Sequence, residues 1–251
     1  MVLYLIGIGL SDEKDITVKG LEIVRDCNFV YLENYTSTLS IDVKKLEDFY
    51  GKKVILADRD LIERQAEDEI ISKAKEHNVA VLVIGDVYSA TTHTSLVLTA
   101  KKASVEVKTV HNASVLTAVS ETGLSLYKFG KVASIPFENK EIEAPYNVLA
   151  ENKDNHTLFL LDLNPSSENY MNVKEAVEYL LLMEKKQNKK LFTEDTKVVV
   201  CCRLGSDDQE IFYGTVKEVL KKKFNKYPQC LIVPGKLHFM EEEFLQLYGK
   251  S

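Results

Sequence analysis

The chain has 251 residues, 45% of them hydrophobic, so it is long enough to bury a core and to form two modest domains. Its formal net charge of -6 excludes proteins that hold nucleic acid or anionic membranes on a generally basic surface. No apolar run reaches the roughly 18 to 20 residues that span a bilayer, and no basic leader precedes the first strand pattern. A cytoplasmic protein that contacts neither membrane nor nucleic acid is therefore predicted.

Strand patterns and helical periodicity alternate through the first 110 residues, which is typical of a parallel sheet with crossover helices. The predicted strands lie at 2–8, 28–33, 53–57, 79–84 and 105–110. The predicted helices lie at 17–27, 41–49, 60–76 and 93–103. Thr17 is a suitable N-cap for the first helix, in which Leu21, Val24 and Cys27 share one buried stripe.

After His111 and Asn112 the pattern changes to an α+β type. The predicted strands lie near 131–136, 157–162, 197–202, 209–213 and 229–233. The predicted helices lie near 113–122, 173–187, 215–222 and 238–247, and the polar stretches 138–156 and 163–171 are interpreted as surface loops. The short connection between residues 202 and 209 favours antiparallel pairing of the strands that it joins.

These patterns together predict an α/β protein with two domains, residues 1–112 and 113–251. The first domain is expected to carry a mainly parallel sheet, and the second domain a mixed sheet. A cleft between the two domains is the expected place for a ligand.

The segment LVIGDVYSATTHT, residues 82–94, is the strongest candidate for an active site. It runs from an apolar strand through Gly85 and Asp86 into the Thr-Thr-His start of a helix. Open α/β sheets bind ligands at the carboxyl ends of their strands, and this end offers a carboxylate and several hydroxyl groups.

Gly7 and Gly9 lie in the turn GIGL that closes the first strand, and they match part of a dinucleotide-binding fingerprint. The third glycine is missing and residues 11–16 do not open a helix at once, so a phosphate-cradling loop is not favoured. The two glycines instead indicate a tight turn in which the backbone approaches a ligand or a neighbouring strand.

The remaining polar residues do not favour metal, disulfide or hydrolase chemistry. The cysteines form no CxxC pair and lie in apolar patterns, which indicates reduced core residues, and the histidines match no zinc spacing. No GxSxG elbow surrounds a serine, and the basic clusters indicate solvated helix ends. The residues concerned are Cys27, Cys201, Cys202 and Cys230, then His77, His93, His111, His156 and His238, and the lysine runs 185–186, 189–190 and 221–223.

Five parts of the chain carry a resemblance to a known family: LYLIGIGLSDEKDITVKGLEIVRDCNFVYLENYTS, GDVYSATTHTSL, VHNASV with GLSLYKFGK, CRLGSDDQEIFYGTVKEV and LIVPGKLH. Together they resemble the diphthine synthases, a family within the tetrapyrrole-methylase-like class of S-adenosylmethionine-dependent methyltransferases. The resemblance covers nearly the whole chain, and DITVKGLE and ATTH distinguish this family from its relatives. The spellings YLENYTS, VHNAS and LYKFG are closer to eukaryotic members than to archaeal ones.

The resemblance implies a two-domain tetrapyrrole-methylase-like fold and a homodimer. It implies methyl transfer from S-adenosyl-L-methionine, with S-adenosyl-L-homocysteine as the product and without a metal. The implied acceptor is the aminocarboxypropyl-modified histidine of elongation factor 2, in diphthamide biosynthesis. Its amine becomes the trimethylammonium group of diphthine, and eukaryotic members also esterify the carboxylate to give the methyl ester.

The resemblance further implies cofactor contacts in both halves of the chain, several of them through main-chain atoms. A side-chain role is expected for Asp86, because a carboxylate accepts hydrogen bonds from a ribose or an ammonium group. The alternative for Asp86 is an Asx turn with Ala90 or Thr91 that only braces the loop. The implied contacts are Leu10, Asp86, Ser89, Ser114, Val115, Leu161, Leu204 and Gln229.

Methyl transfer from a sulfonium needs little beyond an acceptor nitrogen held in line behind the methyl carbon. The amine must be neutral to attack, which requires desolvation or a nearby base, and the sequence identifies no residue as that base. The rings of Tyr35 and Tyr88 are candidates for a cation-π contact with the growing ammonium group, or else are core and lip residues.

Two positions depart from the family pattern. Val87 stands where most members have proline, so the loop lacks one constraint on its backbone, and Gln229 stands where archaeal members often have histidine. Two other interpretations stay open: a methyltransferase of the same fold that acts on a tetrapyrrole or ribosomal RNA, and a noncatalytic protein that binds the cofactor. The acidic charge disfavours the RNA, and DITVKGLE disfavours the tetrapyrrole.

Overall fold

The structure, a computed structural model, describes residues 1–39, 41–89 and 93–249, and the chain divides into two compact units. Unit 1 comprises Met1–Ala118 together with Asn164–Ser167, and unit 2 comprises Val119–Leu163 together with Glu168–Ser251. The domain boundary predicted between residues 112 and 113 stays a prediction.

Unit 1 is built on a five-stranded sheet whose neighbouring strands are all parallel among the described residues. Its strands are β1 (Val2–Gly7), β2 (Phe29–Glu33), β3 (Ile55–Ala57), β4 (Val79–Val83) and β5 (Glu106–Val110). They lie side by side in the order β3-β2-β4-β1-β5. The predicted parallel sheet is therefore confirmed.

Helices connect the strands of unit 1. Those described are α1 (Val18–Asp26), α2 (Val43–Tyr50), α3 (Arg59–Glu63), α4 (Ser72–Glu76), α5 (Thr94–Lys102) and α6 (Val115–Ala118). Thr17 caps α1 as predicted, because its Oγ1 accepts a hydrogen bond from the amide of Gly20 at 3.0 Å. Val24 and Cys27 are buried in one hydrophobic cluster, and Leu21 packs against that cluster.

Both faces of the unit 1 sheet are apolar, as a parallel sheet flanked by helices requires. Leu5 and Val81 belong to a core cluster on one face, which includes residues of α3, α4 and α5. Ile6 and Leu82 belong to a second cluster on the other face, which includes residues of α1 and α2. Successive side chains of one strand thus enter different layers, because they point to opposite faces.

The single helix predicted at 60–76 is wrong. The segment forms α3, a π-helical turn at Glu67–Ile71, and then α4. Its buried positions 62, 66, 70 and 74 recur every four residues, whereas an α-helix repeats every 3.6 residues. The wider π turn keeps these side chains on one face. A period of four differs little from 3.6, so the sequence pattern does not distinguish the π turn from a continuous α-helix.

Unit 2 carries a mixed sheet, which confirms the sequence prediction. The strands of the second half of the chain are β6 (Ala133–Ile135), β7 (Thr157–Leu161), β8 (Leu163–Asn164), β9 (Asn169–Tyr170), β10 (Lys197–Cys202), β11 (Glu210–Thr215) and β12 (Gln229–Val233). Five of them form one sheet in the order β11-β10-β12-β7-β6, and β8 pairs with β9. Only β6 and β7 are parallel in the described sheet; its other neighbours are antiparallel.

The helices described in unit 2 are α7 (Ala144–Asn152), α8 (Val173–Gln187), α9 (Val216–Val219) and α10 (Phe239–Gln246). The surface loop predicted at 138–156 is therefore wrong, because α7 lies within it. Tyr146 and Leu149 of α7 are buried in the core of unit 2, and the hydroxyl of Tyr146 donates to Glu184 at 2.6 Å. The predicted loop 163–171 contains β8 and β9, and the helix predicted at 113–122 is α6 followed by a 3-10 helix at Val119–Thr122.

Other sequence predictions concern the cysteines and the lysine runs. All four cysteines are free and buried, which confirms them as reduced core residues. Lys185 and Lys186 lie in the last turn of α8, where cations complement the helix dipole. None of the described helices has the length and apolarity to cross a membrane.

Candidate functional site

Three neighbouring strands of unit 1, β4, β1 and β5, run parallel and therefore end at the same edge of the sheet. The residues that follow these ends are 85–89, 9–10 and 111–115, and we call them the carboxyl edge of unit 1. Five of the predicted cofactor contacts lie on this edge: Leu10, Asp86, Ser89, Ser114 and Val115. The edge of a parallel sheet is where such folds bind ligands.

Gly7 and Gly9 let the end of β1 approach the end of β4 closely. Gly9 and Gly85 exchange two backbone hydrogen bonds, of 2.7 and 3.3 Å, and a Cβ on Gly7 would lie 2.6 Å from the carbonyl oxygen of Gly85. Gly9 also has a φ of +81°, a conformation that side chains rarely adopt. The interpretation of the two glycines as a close approach to a neighbouring strand is confirmed.

The turn after Gly9 is closed by a carboxylate of the chain itself. The amides of Leu10 and Ser11 both donate to Oδ2 of Asp15, at 3.0 and 2.7 Å. A loop whose amides already hold an anion has no donors there for a phosphate, which agrees with the failed dinucleotide pattern. A cofactor contact at Leu10 would therefore use its carbonyl or its side chain.

Four contacts hold the carboxylate of Asp86 on the carboxyl edge. Its Oδ1 accepts from the amide of Tyr88 at 3.1 Å and from the hydroxyl of Ser89 at 3.3 Å. Its Oδ2 contacts Nδ1 of His111 at 2.8 Å and accepts from the amide of Asn112 at 3.1 Å. Burial alone would raise the pKa of Asp86, but the amides of Asn112 and Tyr88 and the contact with His111 outweigh burial and lower it, so the group stays ionised.

These four contacts occupy the positions at which a carboxylate accepts hydrogen bonds. The Asx turn that the sequence offered as an alternative for Asp86 is present with Tyr88, whereas Ala90 and Thr91 lie outside the described residues. Asp86 therefore braces its loop, and a direct contact of its side chain with a cofactor would have to replace one of these partners.

His111 was missed by the sequence analysis as a site residue. Its side chain is 69% exposed, whereas the side chain of Asp86 is 10% exposed. The ring of Tyr88 lies 6.0 Å from the imidazole, centroid to centroid, and the hydroxyl of Tyr88 is 3.1 Å from that of Thr109. The position of His111 directly after β5 was the one sequence signal for a role in the site. Its partner Asp86 lies 25 positions earlier, so no local pattern joins the two residues.

Asn112 ties the end of β5 to the end of β1. Its side-chain amide donates to the carbonyls of Gly7 and Asp15, at 3.0 and 2.9 Å. Ser114 is buried, and its hydroxyl accepts from the amide of Leu116 at 3.2 Å in the first turn of α6. The VHNAS stretch thus fixes the backbone around the predicted contacts.

The two tyrosines considered for a cation-π contact differ in their surroundings. The guanidinium of Arg59 lies 5.2 Å from the centroid of the Tyr35 ring, so that ring already has a cation of the chain beside it. Tyr88 is 41% exposed and lies on the carboxyl edge. Tyr88 is therefore the better candidate of the two.

The remaining three predicted contacts lie at one edge of the unit 2 sheet. Antiparallel pairing places Cys230 opposite Leu160 and Gln229 opposite Cys202. Leu161, at the end of β7, and Gln229, at the start of β12, are therefore neighbours in the sheet. Leu204 follows β10 by two residues, between Arg203 and Gly205, which have φ values of +52° and +87°.

Gln229 has a structural role that uses its whole side-chain amide. Its Oε1 accepts from the amide of Val173 at 2.9 Å, and its Nε2 donates to the carbonyls of Phe224 and Lys226 at 3.1 and 3.0 Å. A cofactor contact at this position would therefore be made by main-chain atoms, so the exchange of histidine for glutamine is tolerable there.

The donor set of the carboxyl edge suits S-adenosylmethionine. The ionised carboxylate of Asp86 complements a cation, and main-chain groups and hydroxyls are the partners that a ribose and an amino acid moiety use. Among the described residues, no group of three or more histidine, cysteine, aspartate or glutamate side chains could hold a metal ion.

Comparison with known proteins identifies similar chains over the full length. The family model described as Tetrapyrrole (Corrin/Porphyrin) Methylases matches residues 2–220. The chain is 42% identical to diphthine methyl ester synthase of Homo sapiens, over 99% of this chain and 95% of that protein. It is 40% identical to diphthine methyl ester synthase of Dictyostelium discoideum, over 99% and 98% of the two chains. A crystal structure of diphthine synthase is 36% identical and superposes with a TM-score of 0.90, covering 99% of this chain and 96% of that one.

Proposed function

This chain belongs to the diphthine synthases of the tetrapyrrole methylase family, and from that premise we propose that it methylates the aminocarboxypropyl-modified histidine of elongation factor 2. It is an S-adenosylmethionine-dependent methyltransferase of diphthamide biosynthesis. The observation that carries the proposal is 42% identity with diphthine methyl ester synthase over 99% of the chain. Neither a tetrapyrrole or ribosomal RNA substrate nor a noncatalytic role is favoured by these relatives.

We propose that the predicted contacts bind the cofactor, which supplies an activated methyl group when it is bound. Asp86 fixes the loop 85–89 and provides negative charge near the cationic cofactor. Leu10, Ser114 and Val115 lie on the same carboxyl edge, and the contacts proposed at Leu161, Leu204 and Gln229 use their main-chain atoms. The chain's main task is then to hold the acceptor atom in line with the methyl carbon.

Elongation factor 2 as the substrate, the homodimer and the cytoplasm as the place of action are parts of this proposal. The names of the relatives support formation of the methyl ester. Light scattering of the purified chain tests the dimer, since a mass of one 28.4 kDa chain would contradict it.

One assay tests the substrate and the reaction. The chain is mixed with labelled S-adenosylmethionine and elongation factor 2 that carries the unmethylated aminocarboxypropyl group, and the product is analysed by mass spectrometry. We expect methyl groups on that histidine alone, and none on a matched elongation factor in which the histidine is replaced. Measurable cofactor binding without any methyl transfer would contradict the proposed function.

Replacing Val87 by proline should restore the constraint that most family members have. Val87 is the second residue of a turn in which the amide of Ser89 donates to the carbonyl of Asp86 at 3.3 Å, a position that favours proline. Val87→Pro should raise the free energy of unfolding by about 0.5 kcal/mol, because it restricts the unfolded chain.

Urea unfolding measures the effect of Val87→Pro. Val87→Ala is the matched control, since Val87 is fully buried and the smaller side chain loses packing, which should destabilise the chain by about 1 to 2 kcal/mol. If Val87→Pro destabilises the chain as much as Val87→Ala does, the backbone at this turn does not suit proline.

A further inference from the structure

The contact between Asp86 and His111 fixes which nitrogen of the imidazole carries a proton. Asp86 is ionised and only accepts hydrogen bonds, and its Oδ2 lies 2.8 Å from Nδ1 of His111. A neutral imidazole in this contact must therefore have its proton on Nδ1 and a lone pair on Nε2. The carboxylate and the imidazole form the pair that orients a base in other enzymes.

The lone pair of Nε2 is accessible. Nε2 of His111 has no hydrogen-bond partner among the residues that the structure describes, and the side chain is 69% exposed. The contact with Asp86 orients the imidazole, and the ring of Tyr88 lies beside it with its hydroxyl 3.1 Å from that of Thr109. His111 thus combines a fixed orientation with access to a substrate.

Two other titratable groups of unit 1, His93 and Glu33, are not accessible to a substrate. His93 is fully buried, and burial lowers its pKa more than the nearby carboxylate of Glu33 raises it. Glu33 is also fully buried, and its carboxylate accepts from the amides of Tyr35 and Thr36 and from the Thr36 hydroxyl. Neither group reaches solvent or a protein substrate.

Each N-methylation of the proposed acceptor must release one proton. An alkylammonium group has no lone pair, so it attacks only after its proton has left. The nitrogen lone pair then forms the N–C bond while the C–S bond breaks and its electron pair stays on sulfur. Three successive methylations therefore release three protons, whereas ester formation begins from a carboxylate and releases none.

We propose that Nε2 of His111, oriented by Asp86, accepts the proton of the substrate ammonium group before each N-methylation. This inference rests on the proposed function. The imidazolium that forms is stabilised by the carboxylate of Asp86 and returns its proton to solvent through its exposed edge, so the same group serves every round. Ester formation does not require this step.

The tautomer of His111 can be measured without cofactor or substrate. In the 15N NMR spectrum of the neutral imidazole we expect the proton on Nδ1 in the unmodified chain. In Asp86→Asn, the amide group can present a donor to Nδ1, and the proton should move to Nε2. A proton on Nε2 in the unmodified chain would overturn the proposal, whatever the enzyme's substrate is.

The second readout is the ratio of N-methylation to ester formation. Ester formation is followed on the trimethylated acceptor, and N-methylation on the unmethylated one. In His111→Gln we expect this ratio to fall about 100-fold, the contribution of a general base. His77→Gln is the matched control: this histidine ends α4 just before β4 begins, at the opposite edge of the sheet, and its ratio should change less than twofold.

Imidazole added to His111→Ala should restore part of the lost N-methylation, because a free base can replace the missing one. An unchanged ratio in His111→Gln, which means equal losses of N-methylation and ester formation, would overturn the role of His111. If the unmodified chain transfers no methyl group to the acceptor, the proposed function fails. A failure of the His111 role alone leaves methyl transfer by the unmodified chain intact, so the two failures are distinguishable.

Discussion

Replacing Asp86 by alanine is expected to raise the dissociation constant of S-adenosylmethionine about 100-fold, because the loop that is proposed to hold the cofactor loses its bracing carboxylate and its negative charge. The carboxylate holds the turn at Tyr88 and Ser89 and joins the end of β4 to His111 and Asn112 after β5. Its removal leaves four donors without their acceptor. Because His111 also loses its orientation, methyl transfer at limiting cofactor should fall roughly 10⁴-fold.

Calorimetry measures the binding of the cofactor, and single-turnover mass analysis measures the transfer. Asp48→Ala is the matched control, since Asp48 lies in α2, is paired with Lys44 and has a side chain that is 63% exposed. This control should leave both quantities within twofold. An affinity of Asp86→Ala equal to that of the unmodified chain would show that the carboxylate does not shape the cofactor site.

Asp86→Asn separates the two effects of the carboxylate. The amide keeps an oxygen that can accept from Tyr88 and Ser89, so the turn should persist and cofactor binding should weaken about tenfold at most. Its NH2 group would meet the amide of Asn112 and the imidazole of His111, where the carboxylate accepts. Methyl transfer should therefore fall further than cofactor binding does.

The sequence predicted the strands of unit 1 well because their signals are local. Runs of β-branched residues bounded by turns define each strand, and GDVYS after β4 marks a carboxyl end. Strand order is a different kind of information. That β1 lies between β4 and β5 is decided by crossover connections and packing, and no pattern along the chain contains it.

The partnership of Asp86 with His111 depends on that order. Both residues follow strands that flank β1, and parallel pairing brings the two strand ends to one edge. Zinc spacings, the only pattern in which histidines are sought along the chain, have ligands that lie close in sequence. A base oriented by a carboxylate from another strand is recognised by geometry, since its residues have no fixed spacing.

The missed helix α7 has another cause. Its surroundings are polar, and the buried residues Tyr146 and Leu149 are too few to give a clear helical period. The helix is stabilised by tertiary contacts, among them the hydrogen bond from Tyr146 to Glu184 of α8. Packing of this kind decides most short helices, and local propensity does not report it.

The largest effect on stability is expected at Glu241 of α10. Its side chain is 3% exposed and contacts Lys128 and His156. It also accepts from the amides of Ser125 and His238, at 3.0 and 2.8 Å. This one carboxylate therefore joins α10 to the segment that begins at Ser125 and to the residue before β7.

Glu241→Ala should lower the free energy of unfolding by about 3 kcal/mol, because it leaves a buried histidine and a half-buried lysine without their acceptor. Urea unfolding at neutral pH measures this loss. Glu243→Ala is the matched control in the same helix; Glu243 is exposed, and its removal should cost less than about 0.5 kcal/mol. Equal losses in the two variants would contradict the role of the network.

The contribution of Glu241 should disappear in acid. Burial would raise its pKa, but the His238 amide, the Lys128 ammonium and the Ser125 amide outweigh burial and hold the pKa well below the ordinary 4.5. A carboxylate whose pKa is depressed by folding stabilises the fold fully above its unfolded pKa, and this stability is lost as the pH falls through the folded value. The difference in stability between the unmodified chain and Glu241→Ala should therefore shrink as the pH falls below about pH 4.3. A difference that stays constant into strong acid would mean that the cost of Glu241→Ala is lost packing, because only an ionised carboxylate gives the pH dependence.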